Sequence, residues 1–223
     1  MPAYRDRLPQ LDADVFLTDG GLETTLTFID GFELPDFAAF PLLTDPAGRE
    51  ALNRYFDAYA TIAVRDRVGI VLETPTWRAN PDWAARLGYS SDSLDAANRD
   101  AVALLTEVRE RHQNPRTPVV ISGCVGPRGD GYKVGEAMTA EQAGAYHAVQ
   151  LRSFTATETD LVTAITMTYT EEAIGVTNAS AALQLPVVIS FTVEPDGHLP
   201  SGQQLGDAIA RSTTLPMPTR CTT

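Results

Sequence analysis

Residues 69–78 read GIVLETPTWR. A short apolar run rich in β-branched residues ends on a carboxylate, a hydroxyl, a proline and a second hydroxyl. A run of this length with no polar residue at alternate positions suits a strand covered on both faces, as in a parallel sheet. The same pattern recurs on either side. VFLT at 15–18 ends at Asp19-Gly20-Gly21, and PVVISG at 118–123 ends at Cys124-Val125-Gly126-Pro127. PVVISFT at 186–192 is another run of this type, and DLVTAITM at 160–167 is a weaker one, diluted by threonines.

The segments between these runs carry helical signals. Asp45-Pro46 places an N-cap residue before a proline at the first helical position. Leu52, Phe56, Tyr59 and Ala63 follow at helical spacing, and Leu94, Ala97, Ala101, Leu104 and Val108 repeat the pattern further on. Thr139 with Gln142, and Thr168 with Glu171, have capping-box spacing before two more helices, and a last short helix is predicted over 206–211. Alternating strands and helices without a break in composition predict an α/β fold of right-handed βαβ units. Two architectures accommodate five such units. An open five-stranded doubly wound sheet is complete with that number. A (β/α)8 barrel needs eight strands and typically ~250 residues. Residues Ser212–Thr223, STTLPMPTRCTT, supply no sixth strand. On pattern alone the open sheet is preferred.

With 17 Lys+Arg against 29 Asp+Glu, the 223-residue chain has a formal charge of −12. Acidity spread along the chain argues against nucleic acid or an anionic membrane as partner, since both require clustered basic residues. The two cysteines, Cys124 and Cys221, form no disulfide framework, and a reduced, cytoplasmic setting is expected. The N-terminal residues lack the apolar region of a signal peptide, and no apolar run is long enough to span a bilayer.

In either architecture ligands bind at the carboxyl ends of the strands. Asp19, Gly20, Gly21 and Glu23 follow the first run. They offer close backbone approach and two carboxylates, although a tight turn with an acidic helix start has the same composition. Glu73, Thr74, Thr76, Trp77 and Arg78 follow the second. They would suit a polar amino acid shielded from water, or equally a helix capped by Thr76 with Trp77 and Trp83 packed as core. Cys124 lies in the glycine-rich stretch after the third run and reads as a small buried hydrophobe with no histidine near it in sequence. His112 and His147 read as solvated or structural, and His198 with Glu194 and Asp196 as an acidic turn. No phosphate-binding loop, metalloprotease helix or nucleophile elbow is present.

Four stretches in order, FLTDGGLETTL at 16–26, ETPTWRANPDWAARLGY at 73–89, SGCVGPRGDGY at 122–132 and PVVISFTVEPDGHLPSGQQLGDAI at 186–209, resemble the homocysteine S-methyltransferase family of zinc-dependent thiol methyltransferases. The resemblance implies a (β/α)8 barrel, incomplete here at about five units, and so displaces the open sheet. It implies a methyl transfer, within methionine biosynthesis, from a donor to the thiol of homocysteine or a similar amino acid. Asp19 and Gly20 would hold the acceptor, and Thr74, Thr76 and Trp77 would line the same pocket beside Glu73. It also implies zinc, which binds the substrate sulfur as the nucleophilic thiolate.

This chain departs from the family pattern in two places. The family's three zinc cysteines lie late in the barrel, two of them adjacent, and no such pair occurs here. Cys221 lacks the surrounding strand and is not assigned as a ligand. Ile165 stands where many members carry a glutamate that grips the substrate amino group. The expected organisation is therefore the N-terminal part of a barrel domain over 1–211 and an irregular tail over 212–223, from a truncated or frame-shifted product inactive by itself, with open edges through which chains would associate. The other readings are a metal-independent lyase or hydrolase using Asp19 and Glu73 as acid and base, and a non-catalytic remnant that binds an amino acid.

Overall fold

The computed structural model describes residues 1–12 and 14–213. Five parallel strands, β1 (Phe16–Thr18), β2 (Gly69–Glu73), β3 (Val119–Val125), β4 (Leu161–Met167) and β5 (Val187–Phe191), pair in the order β1-β2-β3-β4-β5. The order never reverses. A doubly wound sheet needs a reversal, because strands are added on both sides of the first. The sheet is instead a half-barrel, curled by the right-handed twist that accumulates from strand to strand. All five predicted runs form strands, each within two residues of its expected bounds.

The helices are α1 (Leu22–Phe28), α2 (Pro46–Asp66), α3 (Pro81–Arg86), α4 (Ser91–His112), α5 (Ala140–Thr155), α6 (Thr170–Ala182) and α7 (Leu205–Thr213). Asp45 caps α2 by accepting from the Gly48 N–H at 2.7 Å, and Thr139 with Gln142 closes a reciprocal capping box on α5. The box expected from Thr168 and Glu171 does not form. The N-cap of α6 is Tyr169, without a side-chain cap, and the Thr170 N–H and hydroxyl both bond to Gln203 Oε1 at 2.9 and 2.7 Å. A distant acceptor has replaced the local cap. Helix α7 runs through Thr213, so the first two residues expected in the tail are helical; the rest of the tail, with Cys221, lies outside the described residues.

Side chains alternate across the sheet, as the pleat requires, except at an irregularity between Ala164 and Met167 of β4, where the consecutive residues Ile165 and Thr166 both line the concave side. Leu17, Ile70, Leu72, Val119, Ile121, Val125 and Val162 pack with the apolar stripes of α2 and α4 in one continuous core. The opposite positions, Val71, Glu73, Cys124, Leu161, Thr163, Val188 and Ser190, face the concave side. The N-terminal segment covers one part of that side, with Tyr4, Leu8 and Phe16 packed on Val71, Val120 and Leu161. It is anchored there by polar contacts. The Tyr4 N–H donates to Asp160 at 2.7 Å, and the Arg5 guanidinium donates to the carbonyls of Phe154, Thr155, Thr157 and Thr159. Asp160 also accepts from Arg109 at 2.8 Å in a buried ion pair and from the Ile121 N–H at 2.9 Å.

Candidate functional site

The other part of the concave side is open as a cavity of about 600 Å³ where the strands end. Its wall takes Asp19 from the turn after β1, Glu23 from α1, Glu73 and Thr74 from the end of β2, Trp77 beyond it, Cys124 from β3 and Thr163 and Ile165 from β4. Sites in parallel α/β folds sit at this end because the loops there are free to vary while the strands hold them in place.

Asp19 and Glu73 meet across adjacent strand ends, where Asp19 Oδ2 accepts from the Glu73 N–H at 3.2 Å. Burial, then the proximity of Glu73, holds the Asp19 carboxyl well above the usual carboxylate range. Burial likewise pushes Glu73 up to about 7, opposed by the hydroxyls of Ser122 and Thr163, which bond to each other at 2.8 Å. Glu73 Oε2 is shielded from solvent and has no hydrogen-bond partner among the described residues. Glu23 is raised as well, chiefly by burial. No Lys, Arg or His lines the cavity among the described residues; Arg78, outside the lining, partly offsets the rise at Glu23.

Gly20 follows Asp19 on the rim. Its N–H donates to the Tyr55 hydroxyl at 3.0 Å, and a Cβ there would lie 2.4 Å from the Tyr59 hydroxyl. Only glycine lets the turn lie this close to α2.

Thr76 does not line the cavity. It is fully buried behind the wall, neither exposed nor a helix cap; the cap of α3 is Asn80, whose Oδ1 accepts from the Trp83 N–H at 3.3 Å. The Thr76 hydroxyl contacts that of Thr74 at 2.6 Å and donates to the Cys124 carbonyl at 2.7 Å, while the Cys124 N–H donates to Thr74 Oγ1 at 2.9 Å. Thr76 thus fixes Thr74, and through it the spacing between the ends of β2 and β3. Gln150 of α5 completes the lattice, donating to the carbonyls of Thr76 and Cys124 at 2.9 and 3.2 Å.

Trp77 stands in the wall and donates from its indole N–H to the Ile165 carbonyl. Behind it the Arg78 guanidinium is sandwiched between the Trp77 and Trp83 rings at 4.0 and 3.9 Å and donates to the Gly129 carbonyl at 2.7 Å. This stack pins the glycine-rich stretch after β3 against the cavity. The approach is close: a Cβ on Gly126 would lie 2.1 Å from the Trp77 carbonyl oxygen.

A model of the homocysteine S-methyltransferase family matches residues 16–219. The chain belongs to that family. The crystal structure of the homocysteine methyltransferase MmuM from Escherichia coli in its metallated form is similar at a TM-score of 0.76 and 22% identity, over 91% of this chain and 72% of that one. The oxidized form gives 0.77 and 22% over 90% and 70%, and the apo form 0.64 and 23% over 90% and 68%. At such identity the likeness speaks for the fold. No curated protein matches the sequence.

The described residues of this family member do not fit the zinc that the family implies. No three of their His, Cys, Asp or Glu side chains are placed to hold a metal ion. Cys124 is buried, and burial with the nearby carboxylates Glu73, Glu23 and Asp19 pushes its thiol well up, whereas a ligating thiol must be held as thiolate. His147 is buried and pairs with Glu172 at 2.9 Å, His112 with Asp57 at 2.8 Å, and His198 lies beside Asp196 at 3.4 Å.

Of the residues singled out in the sequence, Asp19, Gly20, Glu73, Thr74 and Trp77 come together around one cavity and Thr76 supports them. Sequence reasoning missed Ser122 and Thr163, which read as ordinary strand residues, Tyr59, whose hydroxyl is invisible in an apolar stripe, and Tyr55, which lay outside that stripe. Gln150 carried a usable signal, a polar residue on the buried face of a helix.

Proposed function

We propose that the cavity binds homocysteine or a similar thiol amino acid as acceptor of a methyl group. The observation that carries this reading is the convergence of two family-resembling strand ends, 19–20 and 73–77, on one cavity of about 600 Å³. That volume accommodates a small amino acid with room beside it for part of a donor. Asp19, Gly20, Glu73, Thr74 and Trp77 would surround the acceptor, and Thr76 would position Thr74. Ile165 presents an apolar surface to the acceptor chain.

Zinc supplies in this family the thiolate form of the acceptor sulfur. Because the described residues offer no ligand set for it, methyl transfer by this chain is proposed to require metal-binding groups other than those described. What the chain's own residues do is bind the acceptor, orient it and cover it from water.

Titration calorimetry with homocysteine tests the reading. Saturable binding is expected, weakened about tenfold or more by Asp19→Ala. Absence of saturable binding, or binding untouched by Asp19→Ala, would reject it.

A further inference from the structure

The geometry points to Glu73 as the residue that selects an acceptor carrying an ammonium group, by ion-pairing with it inside the cavity. This rests on the acceptor reading above and narrows it to a specificity device. A carboxylate withdrawn from water needs a cation or several donors to stay ionised, and the surroundings of Glu73 provide neither in full. The groups that act on it or share its cavity are Asp19 from the turn after β1, Glu23 from α1, Cys124 and the Ser122 hydroxyl from β3, and the Thr163 hydroxyl from β4. Three of these are acids, and none is a base.

The two strand-end carboxylates are not equivalent. Asp19 spends Oδ2 on the Glu73 N–H, while Glu73 Oε2 has no partner among the described residues. The Arg78 guanidinium does not line the cavity; it sits in its tryptophan sandwich, bonded to Gly129, and its charge acts on Glu23. An incoming ammonium would supply both the missing donors and the missing positive charge.

A proton balance follows. In the empty cavity at mildly acid pH, Glu73 is held as the neutral acid. Ammonium binding requires the carboxylate, so Glu73–COOH gives its proton to the buffer as the R–NH3+···−OOC pair forms. Nothing is oxidised or reduced.

Calorimetry on the whole chain tests this with homocysteine, its deamino analogue 4-sulfanylbutanoic acid, and norvaline, which keeps the ammonium and lacks sulfur. Wild-type protein is expected to prefer homocysteine over the deamino analogue by roughly ten- to a hundredfold. At pH 6, titrations in buffers of different ionisation enthalpy should show proton release on binding. In Glu73→Gln the preference should fall to about one and the proton release should vanish, while affinity for the deamino analogue holds, which a merely structural role would not produce.

A preference retained in Glu73→Gln overturns the inference. So does equal binding of both thiols by wild type, although the acceptor reading then stands. Norvaline binding that depends on Glu73, with no gain from the sulfur, supports the ammonium site and rejects the thiol reading. Binding of none of the three rejects both.

Discussion

The Asp19 carboxylate accepts from the backbone N–H of Glu73 at 3.2 Å, so that the turn after β1 is tied to the end of β2 by a side chain of the cavity wall. Two acids are thereby held together with no base lining the cavity among the described residues. Such an arrangement opposes folding at high pH, and its cost is the natural place to look for function.

The sign of that cost is specific. An acid whose folded pKa is raised keeps its proton after the unfolded chain has lost it, so stability falls as pH rises between the two values. For Glu73 the window runs from 4.5 to about 7. At 1.36 kcal/mol per pH unit this is at most about 3 kcal/mol. Glu73→Gln should therefore stabilise the protein at pH 8 by about 2–3 kcal/mol and change little at pH 4, as read from denaturant midpoints. Equal effects at both pH values would contradict the assignment.

Gly20 faces the Tyr59 hydroxyl. Gly20→Ala should cost about 1–2 kcal/mol by overpacking and weaken acceptor binding by displacing the turn. Adding Tyr59→Phe removes the oxygen that a Cβ would meet at 2.4 Å. The double variant should recover most of the loss, and a double-mutant cycle in thermal denaturation measures the coupling.

Thr76 acts through Thr74 and Cys124. Thr76→Val keeps the shape and removes a hydroxyl that contacts Thr74 and donates to the Cys124 carbonyl. The expected loss is about 1–3 kcal/mol, with weaker acceptor binding although Thr76 does not line the cavity. Calorimetric affinity and chemical denaturation, measured on one preparation, separate the two effects.

Arg109 and Asp160 form a buried ion pair at 2.8 Å, with side-chain exposures of 6% and 0%. Removing one partner strands the other charge, so Arg109→Met should cost about 3–5 kcal/mol. It should also loosen the N-terminal segment, because Asp160 holds the Tyr4 N–H. Hydrogen exchange at Tyr4 would register that loosening before global unfolding.

Much of the site was legible because strand-end chemistry is local. A carboxylate or hydroxyl just after an apolar run must emerge at the open end of a parallel sheet, and Asp19, Glu73 and Thr74 did. Thr76 misled because its two-residue offset from Thr74 says nothing about which side of the wall it occupies. The failed Thr168 cap is of the same kind: local spacing allowed a box, but Gln203, far along the chain, offered the better acceptor.

The alternation of apolar runs with amphipathic helices was enough to determine five parallel βα units, because hydrophobic period and turn chemistry are properties of neighbouring residues. Whether those units reverse into an open sheet or curl in one direction was beyond that pattern, since both place identical strands between identical helices. The four family-resembling stretches already pointed to the barrel, and the strand order β1-β2-β3-β4-β5 bears that out. Only the tertiary structure decided that Asp19 and Glu73, 54 residues apart, would share one poorly solvated space. Their raised proton affinities are a property of that space, set by withdrawal from water and, for Asp19, by the proximity of Glu73, and neither exists before the chain has folded.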